Sequence, residues 1–139
     1  TEQEKFLAEY RVLGLHPTRH PMELVREVTS LPATQTSREL KQLPPGQTVT
    51  AAGIVIRPHR PPTRSGKTVV FLTLEDEFGL IDVTIFERVY QKYGKAVFTE
   101  PALIVTGRLE QRGEAKSITA YRVQPLPTGG HYHRGKLKY

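Results

Sequence analysis

The chain has 139 residues, 37% of them hydrophobic and 24% charged, with a formal net charge of +6 and no cysteine. This is the balance of one soluble globular domain with a modest core, and it excludes a disordered polyelectrolyte, a disulfide framework and a thiolate zinc site. No apolar run approaches the roughly 20 residues that a bilayer crossing needs, so no membrane partner is expected, and the lack of cysteine fits a reducing, cytoplasmic setting.

The first residue is Thr rather than Met and no signal-peptide pattern follows, which reads as a piece of a longer polypeptide or a trimmed chain. In EQEKFLAEYRVLG, Phe6, Tyr10 and Leu13 recur at helical spacing, and Gly14 suits the C-terminal stop. HPMELVREV predicts a second, shorter helix with Pro21 at its first position. TSRELKQLPPG offers a capping box, Thr36 with Glu39, for one or two turns that stop before Pro44-Pro45-Gly46.

After Gly46 the period changes from helical to alternating. QTVTAAGIVIR predicts a first strand with a central Gly53 that lets it bend sharply. TVVFLTLEDE and LIDVTIF predict a hairpin turning at Phe78-Gly79, ERVYQKYGKAV a helix, and ALIVTGRLEQR with AKSITAYRVQPL a second hairpin turning at Gly113.

Three strands, one helix and two strands is the element order of an OB-fold, a mainly β, five-stranded Greek-key barrel with its helix between strands 3 and 4. A generic small β-barrel is the alternative, and the placement of the single helix favours OB. The domain reading is a helical leader over 1–46 packing on the barrel, the OB-fold over 47–126, and a basic, aperiodic tail over 127–139 expected to be flexible.

OB barrels bind oligonucleotides on the face of strands 2 and 3, between the loop joining strands 1 and 2 and the loop joining strands 4 and 5. The first of these loops holds Arg57, Arg60, Arg64 and Lys67 without an acidic residue; the second supplies Arg112 and Lys116, with Arg108 just before it. Both would neutralise phosphates along one groove. Alternation gives the floor: with Leu72 and Leu74 inward, Phe71, Thr73 and Glu75 face out, and with Ile81, Val83 and Ile85 inward, Asp82, Thr84 and Phe86 face out. Phe71 and Phe86 are then candidate stacking platforms; burial under the leader or a role as barrel plug is the other reading of each.

The acidic run Glu75, Asp76, Glu77 with Asp82 alternates sides along its strand, so it reads as a charged hairpin tip rather than a cation site. The histidines at 16, 20, 59, 131 and 133 are scattered, and the His131/His133 pair has no cysteine or acidic partner nearby. No nucleophile–base pattern, phosphate-binding loop or dinucleotide fingerprint occurs, so no catalytic residue and no cofactor is expected.

VTAAGIVI, VVFLTLEDEFGLIDVTIF, VYQKYG and LIVTGRLEQRGEAKSITAYRV together resemble the OB domain near the C-terminal end of bacterial C-family DNA polymerases, the DNA polymerase III α subunit and its error-prone relatives. The leader YRVLGLHPTRHPMELVR, with its G-x-x-x-x-x-H-P-M pattern, and the tail resemble the error-prone branch. The resemblance spans Phe6 to Leu126. It implies a module outside the active site that binds single-stranded template DNA, joined to other domains of a parent polymerase and to accessory replication or repair proteins. The strand-2 and strand-3 motif also looks like the anticodon-binding OB domains of class II aminoacyl-tRNA synthetases, where an aromatic at the position of Phe71 stacks on a base. A protein-interaction module and a tRNA-binding domain are the alternatives to single-stranded DNA binding.

Overall fold

Alternating apolar residues over five segments close into a single barrel in the computed structural model, which describes residues 20–28 and 33–126. The helix expected over 2–14 and the tail from 127 lie outside the described residues. The elements are α1 (Pro21–Val28), α2 (Ser37–Leu40), β1 (Thr48–His59), β2 (Val69–Asp76), β3 (Gly79–Phe86), α3 (Glu87–Thr99), β4 (Ala102–Arg112) and β5 (Ala115–Pro125). Strand order around the barrel is β1-β2-β3-β5-β4, with β4 returning to β1. All pairs are antiparallel except β3 with β5, which run parallel and close the barrel. This is the OB-fold, with α3 between β3 and β4 as the sequence predicts.

β1 pairs with β4 over Thr48–Ile54 and with β2 from Ile54 onward, so the strand changes partners at Gly53-Ile54. A Cβ at Gly53 would stand 2.9 Å from the Glu75 carbonyl, which is why the crossing point carries glycine. Gly107 is tighter still: the β4–β5 register slips beside it, and a Cβ there would lie 2.0 Å from the Thr119 carbonyl.

The barrel interior takes the inward set of every strand, including Val49, Val55, Val70, Leu72, Leu74, Val83, Ile85, Leu103, Val105 and Ile118, and Val97 of α3 joins it. A second cluster lies outside the barrel wall. There Ala52, Ile54, Ala102 and Ile104 point outward and are buried beneath Met22 and Val25 of α1, with Leu126 beside them. The leader helix is therefore a lid on the outer face of β1 and β4. His20 starts it, its Nδ1 accepting from the Met22 amide at 3.0 Å.

Candidate nucleic-acid interface

On the neighbouring outer face the register places Phe71 opposite Thr84, Thr73 opposite Asp82, and Glu75 opposite Leu80. Their inward neighbours Val70, Leu72, Leu74, Ile81, Val83 and Ile85 are all buried, so the parity expected from the sequence holds along both strands. Phe71 is 39% exposed and Phe86 55%, so neither plugs the barrel or lies beneath the described part of the leader. Thr73 Oγ1 donates to Asp82 Oδ1 at 3.1 Å across the strands, which fixes the middle of this floor. β5 extends it, with Ser117 beside Asp82 and Thr119 beside Thr84.

At the Phe71 end the geometry departs from expectation. β1 does not stop at Arg57: it continues to His59, through a bulge at which Arg57 adopts φ 49°. A left-handed conformation costs a β-carbon-bearing residue roughly 1–2 kcal/mol, so it marks an imposed kink. The kink brings His59 into register with Phe71, their ring centroids 5.7 Å apart and tilted by 34°. His59 thus joins Phe71 as a second aromatic on the face. Sequence reading missed it because Pro58 looks like the end of a strand, and a bulge in front of a proline leaves no distinctive signal.

The β1–β2 loop stands at this end, and it is structured at its tip. Thr63 Oγ1 donates to the Lys67 carbonyl at 2.6 Å, and the Gly66 amide to Thr63 O at 3.3 Å. Its base is held by Glu87, which accepts from the Thr68 amide at 2.8 Å. Arg57, Arg64 and Lys67 are exposed. Arg60 turns away from the floor, donating from Nη1 to the Tyr90 hydroxyl of α3 at 3.1 Å.

The β4–β5 turn stands at the opposite end, beside Leu80 and Asp82. Arg112 is exposed there, and Arg108 is exposed but faces Glu110 at 3.7 Å. Lys116 has another duty. Its Nζ donates to the carbonyls of Leu40 at 3.1 Å, Lys41 at 2.9 Å and Leu43, capping the C-terminal end of α2. A cleft of about 280 Å³ lies between α2, β3 and this turn, bordered by Leu40, Leu80, Asp82, Lys116 and Ser117. Of the cations expected to face phosphates, Arg57, Arg60, Arg64, Lys67, Arg108 and Arg112 are exposed, Arg60 with its guanidinium on Tyr90, and only Lys116 is partly buried, against the α2 carbonyls.

The acidic run serves the leader rather than a solvated tip. Asp76 is buried, and its carboxylate accepts from the Ser37 amide at 2.7 Å, Ser37 Oγ at 2.6 Å, the Phe78 amide at 2.9 Å and the Gly79 amide at 3.0 Å. One side chain thereby closes the β2–β3 turn and docks the start of α2. Glu77 pairs with Arg26 of α1 at 2.7 Å, and Glu75 faces His20 at 3.6 Å. At the turn itself Arg38 lies over the Phe78 ring, 4.7 Å from its centroid.

A barrel of this topology with exposed aromatics on β2–β3 belongs to a known class. The family of OB-fold nucleic acid binding domains matches residues 49–126, and the chain belongs to that family. Within it, the chain matches the OB domain of DnaE-type, error-prone DNA polymerases. The error-prone DNA polymerase of Symbiobacterium thermophilum is 50% identical over 127 residues, covering 90% of this chain and 12% of that protein. That of Pseudomonas aeruginosa is 35% identical over 129 residues, covering 91% of this chain and again 12% of the relative. The chain therefore spans only about an eighth of these relatives' length. Among solved structures, asparaginyl-tRNA synthetase from Pyrococcus horikoshii in complex with asparaginyl-adenylate aligns with a TM-score of 0.56 at 18% identity, over 77% of this chain and 27% of that one. The hypothetical protein ygiW from E. coli aligns with a TM-score of 0.51 at 16% identity, over 67% of this chain and 89% of that one. These two likenesses are of fold alone.

Proposed function

We propose that this chain is a non-catalytic, single-stranded-DNA-binding module of an error-prone, DnaE-type DNA polymerase acting in the cytoplasm in repair or translesion synthesis. The observation that carries the reading is Phe71: a large aromatic side chain, 39% exposed, at the β1–β2 loop end of an OB binding face and beside His59. A base stacked on it contributes about 1–3 kcal/mol whatever the sequence, which suits a template strand of arbitrary composition. Arg57, Arg64 and Lys67 at one end and Arg108 and Arg112 at the other would follow the phosphates. In this reading the leader, barrel and basic tail act as one unit tethered to the polymerase, where local concentration compensates for modest affinity.

Fluorescence-anisotropy titration of single-stranded and duplex DNA at two salt concentrations tests this. The expected result is preference for the single strand, affinity falling steeply with salt, and a loss of about 1–3 kcal/mol on Phe71→Ala. Absence of binding at low salt would overturn the reading.

A second reading has its own observation. Leu80 is 61% exposed at the rim of the 280 Å³ cleft, as an anchor for a partner protein would be. A partner held there would bind with little dependence on salt. A tRNA-binding domain would instead prefer a folded RNA loop to DNA of the same sequence.

A further inference from the structure

The solvent side of α3 carries basic and aromatic residues that the β2–β3 groove does not use. Arg88, Lys92 and Lys95 recur at i, i+4 and i+7 and are all exposed, while Gly94 and Val97 on the other side are buried. None of the ion pairs among the described residues involves these three cations. Phe98 is 37% exposed and meets Tyr90 edge-on, with ring centroids 6.3 Å apart and planes at 85°. The Tyr90 ring lies across Gly94, where a Cβ would stand 2.6 Å from a ring carbon. Arg60 reaches over from the β1–β2 loop, its guanidinium carbon 5.7 Å from the Tyr90 centroid. The result is a shallow cleft of about 450 Å³ lined by Arg60, Tyr90, Gly94, Lys95, Phe98 and Thr99.

We propose that this cleft is a second nucleotide subsite, where a base stacks on Phe98 and its phosphate lies against Arg60 and Lys95. The proposal rests on the groove reading and extends it. An exposed aromatic flanked by two cations matches a nucleotide better than a solvated helix face, because stacking and charge neutralisation are offered together. Continuity with the groove comes from chain geometry. His59 faces Phe71 and the next residue, Arg60, faces α3. Adjacent Cα atoms are about 3.8 Å apart, so the loop is the ridge between the two surfaces. Phe86, exposed at the end of β3, is also the N-cap residue of α3, so a strand leaving the groove past Phe86 arrives on this helix.

Titration of the 139-residue chain with oligo-dT of about 5 and about 12 nucleotides, lengths within the range one OB fold occupies, separates the two surfaces. The expected result is tighter binding of the longer strand by the unaltered protein. The double variant Lys95→Ala/Phe98→Ala should lose about fivefold or more on the 12-mer and nothing on the 5-mer, the 5-mer also reporting that the variant is folded. If the unaltered protein binds the 5-mer and gains nothing from length, or if the variant keeps full 12-mer affinity, the second subsite is overturned while the groove reading stands. If neither oligonucleotide binds, the groove reading fails and this extension fails with it. An equal loss on both lengths also overturns it, since the two residues would then act through the fold.

Discussion

On β1 and β4 the outward residues Ala52, Ile54, Ala102 and Ile104 are buried beneath α1, whereas on β2 and β3 the outward Phe71 and Phe86 stay 39% and 55% exposed. Both faces belong to one barrel, and along both the inward set fills the same core. The side-chain types separate them. The covered face is small and aliphatic, suited to close packing under a helix; the open face mixes aromatics with Thr, Asp and Glu, which tolerate water. In a closed barrel, then, the alternation of a strand says which residues face out, and the chemistry of the outward set says whether protein or solvent meets them.

Substitutions on the two faces should therefore have opposite signatures. Ile54→Ala on the covered face opens a cavity between barrel and leader and should cost about 3 kcal/mol in urea unfolding, with oligonucleotide affinity of the folded protein unchanged. If Ile54→Ala weakened binding while leaving stability intact, the assignment of the two faces would be reversed. Asp76→Ala, which leaves Ser37 and the turn amides without their acceptor, should cost about 2–3 kcal/mol in the same measurement. Phe71→Ala should lower stability by less than about 1 kcal/mol, because the side chain is already partly in water, while producing the largest binding loss of any single change on this face. Replacing Arg57, Arg64 and Lys67 together by Ala should leave stability within about 0.5 kcal/mol and reduce the salt slope of binding by about 2. The smallest effect on binding should come from Lys116→Met, since Lys116 is held by α2 carbonyls; its cost should appear as a modest fall in Tm instead.

The barrel was legible because its information is local. The predicted β4 and the observed β4 share the bounds Ala102–Arg112, and the hairpin parity from Val70 to Phe86 follows from period two alone. The capping box at Thr36 and Glu39 was legible for the same reason, being contained in four residues. The contacts that the sequence did not show are those made with partners far along the chain. Lys116 meets carbonyls 73 to 76 residues away, Asp76 meets Ser37 across 39 residues, and Arg60 meets Tyr90 across 30. A lysine bound to backbone carbonyls and a lysine awaiting a phosphate are the same letter, and the carbonyls carry no sequence of their own. Asp76 was indistinguishable from Glu75 and Glu77 because only its position at the strand end, against Ser37, buries it. His59 was hidden by the bulge at Arg57, whose φ of 49° no residue type nearby required.

The most direct test of the open face as the DNA-binding surface is an NMR titration of the isotope-labelled chain with a short single-stranded oligonucleotide. The backbone amides around His59, Phe71, Thr73, Thr84 and Phe86 should shift, with those of Ala52, Ile54, Ala102 and Ile104 unmoved. Shifts concentrated on the leader and β1–β4, with Phe71 and His59 silent, would contradict this.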